Sequence, residues 1–82
     1  MTFMHVVLEF ILQKFPWWGV CHFQFDPQTR TIYIHCQNPD KRALILKDAQ
    51  MLANLDIGIK RFIVVHPSYS DITIPHIPRK MM

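Results

Sequence analysis

The chain has 82 residues, a formal net charge of +3 at pH 7, 50% hydrophobic residues and 18% charged residues. This length excludes a second domain of ordinary size, because one small core already needs most of the chain. The nine Lys and Arg are scattered without a block of about five like charges, which is not the pattern of a basic nucleic-acid stripe. The hydrophobic share exceeds what so small a core buries, so we expect the excess to form an interface, most simply between copies of the chain.

The N-terminal apolar run predicts neither an export signal nor a membrane span. No cationic residue precedes Phe3, no small-residue cleavage site follows, and polar residues interrupt the run well before the ~18 residues that a span requires. Trp17 and Trp18 lie beside this run, but the basic face that binds lipid headgroups is missing, so peripheral membrane contact is not favoured. With two cysteines and no export signal, we expect a reducing, cytoplasmic setting.

Residues 2–15 are predicted to form a helix. Its polar residues recur every three or four positions and make one narrow stripe on the helical period. The remaining apolar surface is wider than one sheet face covers, so we expect this helix to contact a second element or a second subunit. Pro16 ends the helix, and the chain then turns at Gly19 into a strand.

The next segment predicts a β-hairpin, because two runs mirror each other around a turn. Residues 20–26 read Val-Cys-His-Phe-Gln-Phe-Asp, and residues 31–36 read Thr-Ile-Tyr-Ile-His-Cys. Matching apolar residues across the ladder leaves the four-residue loop 27–30. Pro27 then occupies the second position of a type I turn, which its fixed φ favours.

The hairpin register places Cys21 opposite Cys36 and His22 opposite His35. Neighbouring residues on a strand point to opposite faces, so the two thiols and the two imidazoles do not converge on one tetrahedral zinc site. We expect the cysteines to fill the core as reduced thiols, with a cross-strand disulfide as the alternative. The histidines have no evident third ligand for a transition metal, so we expect no metal and no cofactor.

A second helix and a third strand follow the hairpin. Asn38 is a good N-cap and Pro39 suits the first helical position, so we expect a helix from there to about Leu55, before Gly58. Residues 59–66 then form a strand. Their apolar residues are continuous, which is typical of a strand at the centre of a sheet.

We therefore predict a single α+β domain over residues 1–67, a two-layer sandwich of order α-β-β-α-β with both helices on one sheet face. Residues 68–82 are predicted to form a proline-rich C-terminal tail, in which 71–74 has the composition of an edge strand. With that strand, the order resembles a ferredoxin-like sandwich that is circularly permuted, so that the tail supplies the missing strand. No family motif is matched, and fold alone does not define function.

Catalytic residues are not indicated. Ser68 and Ser70 lie so close in sequence to His66 and Asp71 that a catalytic triad, which draws on separate elements, is not favoured. The chain also lacks a glycine-rich phosphate loop and carboxylates paired at helical spacing. We therefore expect no enzymatic activity.

The remaining candidate site is the sheet face that carries no helix. Its polar and aromatic residues suit an interaction surface, and the apolar residues of the third strand favour a dry protein contact over stacked bases. We predict a small non-enzymatic interaction or regulatory module that self-associates as a homo-oligomer. The alternative is an RNA-binding module that uses the same face. The candidate residues are His22, Gln24, Tyr33, His35, Arg61, Ile63 and Val65.

Overall fold

The computed structural model describes residues 3–19 and 21–78. The predicted helix position 2, strand position 20 and tail positions 79–82 lie outside the described residues. Within them the chain forms three α-helices, one 3-10 turn and a four-stranded sheet, which confirms the α+β class. The elements are α1 (Phe3–Lys14), the 3-10 turn (Pro16–Trp18), β1 (His22–Asp26), β2 (Thr31–His35), α2 (Pro39–Lys47), α3 (Ala49–Ala53), β3 (Arg61–His66) and β4 (Tyr69–Pro75).

The predicted hairpin register is confirmed over the five pairs of the ladder, while the predicted pair Cys21 and Cys36 lies just beyond the ends of the two strands and is not part of it. β1 ends at Asp26 and β2 begins at Thr31, so the loop is the four-residue segment 27–30. Apolar residues meet apolar residues across the ladder on one face, and polar residues meet on the other. The observed pairs include His22 with His35, Phe23 with Ile34, Gln24 with Tyr33 and Phe25 with Ile32.

The sheet is mixed and has the strand order β1-β2-β3-β4. β1 and β2 are antiparallel, β2 and β3 are parallel, and β3 and β4 are antiparallel. β3 therefore lies between two neighbours, in agreement with its continuous apolar run. One face of β3 is fully buried and the other is half-buried.

The ferredoxin-like strand order is not confirmed. In a permuted ferredoxin-like sheet the tail strand would lie between β2 and β3, whereas these two strands pair directly over five positions. The physical reason is that β2, α2 and β3 close as a simple β-α-β unit and leave no gap between the two strands. β4 follows β3 after the two-residue turn at Pro67 and Ser68, and it takes the free edge of β3.

The start of α2 agrees with the sequence. The Asn38 side chain accepts a hydrogen bond from the backbone N–H of Asp40 at 2.8 Å, and Pro39 occupies the first turn. This cap satisfies one of the backbone donors that a helix start leaves free. It also fixes where the chain leaves β2 and crosses the sheet.

Asp48 interrupts the helix that was predicted to continue to about residue 55. Its carboxylate accepts hydrogen bonds from the indole Nε1 of Trp17 and from that of Trp18, each at 2.8 Å. Trp18 is buried and stacks on Phe15, with ring centroids 4.4 Å apart. Asp48 thus joins the end of α2 to the segment that follows α1.

The helices pack on one face of the sheet, as predicted. The core consists of inward residues of the helices and of every second residue of the inner strands, which is the arrangement of a two-layer sandwich. In the described part of the chain, no helix is long and apolar enough to span a bilayer. The buried hydrophobic residues of this core include Val7, Ile11, Phe15, Trp18, Ile32, Ile34, Ile45, Leu52, Phe62 and Val64.

Candidate interaction face

The candidate site is the sheet face opposite the helices. Side chains alternate along each strand, and the register of β1, β2 and β3 aligns the alternating sets across the sheet. Residues buried against the helices therefore alternate with residues on the second face. This second face, called the open face below, carries the seven residues predicted from the sequence: His22, Gln24, Tyr33, His35, Arg61, Ile63 and Val65.

The centre of the open face is half-buried and mainly apolar. Tyr33 lies opposite Ile63, and His35 lies opposite Val65, in the parallel register of β2 and β3. All four are partly accessible, because no helix of the described residues covers this side of the sheet. On the far side of Ile63, Thr73 of β4 is exposed. The face therefore has an apolar strip with polar margins.

Arg61 lies at the hairpin-loop end of the open face. Its Nη1 donates to the hydroxyl Oγ1 of Thr31 at 2.8 Å and to the carbonyl oxygen of Thr29 at 3.0 Å. Thr31 is buried beneath these contacts. One nitrogen of the guanidinium is thus already hydrogen-bonded within the hairpin. This engagement does not favour the RNA-binding alternative.

His22 and His35 form a pair at the other end of the open face. Their ring centroids are 5.5 Å apart, and the ring planes are inclined by 52°. The Nε2 atom of His35 also lies 3.4 Å from Oε1 of Gln24. Because an amide oxygen only accepts, this contact is a hydrogen bond when the ring proton is on Nε2, and that tautomer leaves the lone pair on Nδ1.

A cleft of about 570 Å³ opens beside the histidine pair, at the edge of the sheet where β1 begins and β2 ends. Its lining includes residues from both faces of the sheet. Both the thiols and the imidazoles therefore border it. Three of its polar residues, Gln37, Asn38 and Lys41, follow β2 and begin α2 and are not among the site residues predicted from the sequence. Their position at the carboxyl end of a parallel strand is the signal that could have found them. The cleft is lined by Cys21, His22, His35, Cys36, Gln37, Asn38 and Lys41.

Burial raises the pKa of both thiols at this cleft. For Cys21, desolvation raises the pKa and the positive charge of Lys41 partly offsets that rise. For Cys36, desolvation again dominates the raised pKa, Cys21 adds to it, and Arg42 and Lys41 oppose it. Both residues are free thiols. They are held in the neutral form, which is poorly nucleophilic.

We expect alkylation of these thiols by iodoacetamide to be slow at neutral pH and to accelerate as the pH rises, because the thiolate is the reactive form. Cys21 should react before Cys36, which is only 4% exposed. Lys41→Met should slow the reaction of Cys21, since loss of the charge raises its pKa further. Mass spectrometry across a pH series measures the rates, with Lys47→Met as the control. Equal rates for the two cysteines would contradict this account.

A second apolar surface lies on the solvent side of α1. Phe3, Val6 and Phe10 follow helical spacing and are 44%, 53% and 42% exposed. Phe3 also packs on Phe25 of β1, with ring centroids 5.7 Å apart. The sheet thus covers only part of the wide apolar surface of α1.

The described residues define a small α+β domain with one uncovered sheet face. The chain matches no protein-family model, no curated protein and no solved structure. A function is therefore inferred from the open face itself.

Proposed function

We propose that this protein is a small non-enzymatic module that works through protein contacts and self-associates through its open face. The observation that carries the proposal is the half-buried strip of Tyr33, Ile63 and Val65 on a sheet face that no described helix covers. An apolar centre with a polar margin is the usual composition of a protein interface. Two copies packed face to face would remove this strip from water, which is favourable in proportion to the apolar area buried.

The size of the face sets the strength of the proposed association. Four strands about 4.8 Å apart, each paired with its neighbour over five positions with a rise of about 3.3 Å per residue, cover roughly 300 Å² of flat area. A standard interface buries about 800 Å² of accessible surface per partner. The open face is at the small end, so we expect a reversible dimer whose population depends on protein concentration.

We propose that the module works in a reducing compartment, the cytoplasm by default. Cys21 and Cys36 are free thiols, and Cys36 is part of the core. Buried neutral thiols pack as small apolar groups, so this fold does not depend on oxidation.

Ile63→Glu tests the proposed interface. The substitution places a charge at the centre of the open face, where burial by a second copy would cost several kcal/mol. We expect self-association to be lost while the monomer stays folded, because Ile63 is only half-buried in one copy. Ser68→Glu adds the same charge in the exposed turn between β3 and β4 and should associate like the parent chain. Sedimentation velocity measures association, and circular dichroism reports folding.

Association of Ile63→Glu at the level of the parent chain would contradict the proposed interface. If Ile63→Glu fails to fold, Tyr33→Thr gives a second test, because it removes an aromatic ring from the same strip and keeps a residue that suits strands. That variant should dimerise only at a higher protein concentration than the parent chain.

A salt titration separates the proposed dimer from RNA binding. Electrostatic binding to nucleic acid weakens steeply between about 50 and 200 mM salt. Apolar association is expected to persist or strengthen with a salt such as sulfate. We therefore expect the dimer fraction to hold across this range. Tight, salt-sensitive binding of single-stranded RNA by the monomer would favour the alternative.

A further inference from the structure

We propose that His22 and His35 form half of a binding site for a divalent transition-metal ion of the zinc type, and that the same pair from a second copy completes it. The inference rests on the proposed self-association and adds a ligand to that interface. The two histidines come from neighbouring strands of a sheet, so their backbones are held in place by the β1–β2 ladder.

The separation of the rings suits one metal ion. The observed centroids are 5.5 Å apart. Two imidazoles on one tetrahedral zinc ion, with Zn–N bonds of about 2.0–2.1 Å, have ring centroids about 5 Å apart. In the observed strand register, the two rings are therefore about as far apart as two imidazoles on a common ion.

Gln24 positions His35 for this role. Its Oε1 atom lies 3.4 Å from Nε2 of His35 and accepts a hydrogen bond there in the tautomer that carries the ring proton on Nε2. Nδ1 of His35 then keeps the lone pair that a metal needs. Metal-binding histidines commonly have their second nitrogen held by an oxygen acceptor in this way, which fixes the tautomer and the ring orientation. Gln24 would therefore act as a positioning residue and not as a ligand.

One copy of the chain supplies too few ligands. Among residues 3–19 and 21–78, no three His, Cys, Asp or Glu side chains lie close enough to hold a metal ion. Structural zinc ions take four ligands in tetrahedral geometry, and imidazole nitrogen is one of the preferred donors. His22 is exposed on the open face. Two copies that face each other about a two-fold axis passing this pair would bring four imidazoles around one ion.

The test is a titration of the full-length chain with zinc chloride, followed by isothermal calorimetry and by sedimentation velocity. We expect one zinc ion to bind per two chains and to raise the dimer fraction at a protein concentration where the metal-free chain is mostly monomeric. His22→Ala and His35→Ala should each abolish both effects. Gln24→Ala should weaken zinc binding by about 10- to 100-fold. His5→Gln, which removes a histidine from α1, should bind zinc like the parent chain.

Three results would overturn the site: no zinc binding, one zinc ion per chain without dimer formation, or unchanged zinc affinity in both histidine variants. Failure of the proposed function has a different signature. If the chain dimerises through Ile63 without zinc and does not bind zinc, the metal site is wrong and the proposed function stands. If the chain dimerises only with zinc and the metal-free form stays monomeric, the metal site stands and the proposed apolar interface is wrong.

Discussion

Ile34→Ala is expected to lower the free energy of unfolding by about 2–5 kcal/mol. Ile34 is fully buried on the helix side of β2, so truncation loses the transfer free energy of its methyl and methylene groups and leaves a cavity. Domains are stable by roughly 0.05–0.15 kcal/mol per residue, or about 4–12 kcal/mol for a chain of this length. The variant would therefore lose a large part of the free energy of unfolding of the parent chain. Urea unfolding followed by circular dichroism measures this loss.

The matched control for this prediction is Tyr33→Thr, one residue away on the same strand and on the open face. We expect it to cost much less stability in the monomer, because Tyr33 is only half-buried and Thr suits a strand. Ile34→Val, which removes one methylene, should cost about 0.5–1.5 kcal/mol. Equal losses for Ile34→Ala and Tyr33→Thr would mean that the two faces of β2 are not buried as described.

Asp48→Ala is expected to lower the free energy of unfolding by about 1–3 kcal/mol. The substitution removes the acceptor for two indole N–H groups, and Trp18 is 1% exposed, so water cannot replace the lost partner without rearrangement. Asp48→Asn keeps an acceptor oxygen and should lose less. Urea unfolding measures these differences, and tryptophan fluorescence reports on the same contact.

The control for the Asp48 variants is Asp56→Ala, which removes an exposed carboxylate from the loop after α3. Its effect should be within about 0.5 kcal/mol, as for most surface substitutions. If Asp48→Ala and Asp56→Ala have the same small effect, the carboxylate does not hold the two indoles in solution.

The parts of the fold that could be predicted are those that local chemistry determines. The hairpin register followed from matching apolar residues across the ladder, with Pro27 suited to the turn. The start of α2 followed from the capping chemistry of Asn38 and from Pro39. In each case neighbouring residues carry enough information, because the partners are close in the chain.

The parts that could not be predicted depend on residues distant in sequence. The helix breaks at Asp48, whose carboxylate accepts hydrogen bonds from indoles about thirty positions earlier in the chain. The strand order depends on which edge of β3 the tail strand finds free, and composition does not encode that choice. Arg30 adopts a positive φ of 52°, while its guanidinium donates to the Gly58 carbonyl oxygen at 3.2 Å. A left-handed backbone at an arginine has no sequence signal.

The candidate site likewise has a part that could be predicted from the sequence and a part that could not. Strand alternation and the hairpin register were enough to place the four candidate residues of β1 and β2 on one face. That Arg61, Ile63 and Val65 share this face follows from the register of β2 and β3, which the structure supplies. Their individual roles needed coordinates. The engagement of Arg61 by the hairpin loop, the ring separation of His22 and His35, and the cleft beside them are tertiary features.

Sedimentation equilibrium of the unmodified, metal-free chain over a wide range of protein concentration tests the central claim most directly. We predict that the weight-average mass rises reversibly from 9.8 kDa towards twice that value as concentration increases. A mass that stays at 9.8 kDa up to millimolar concentration would contradict self-association through the open face.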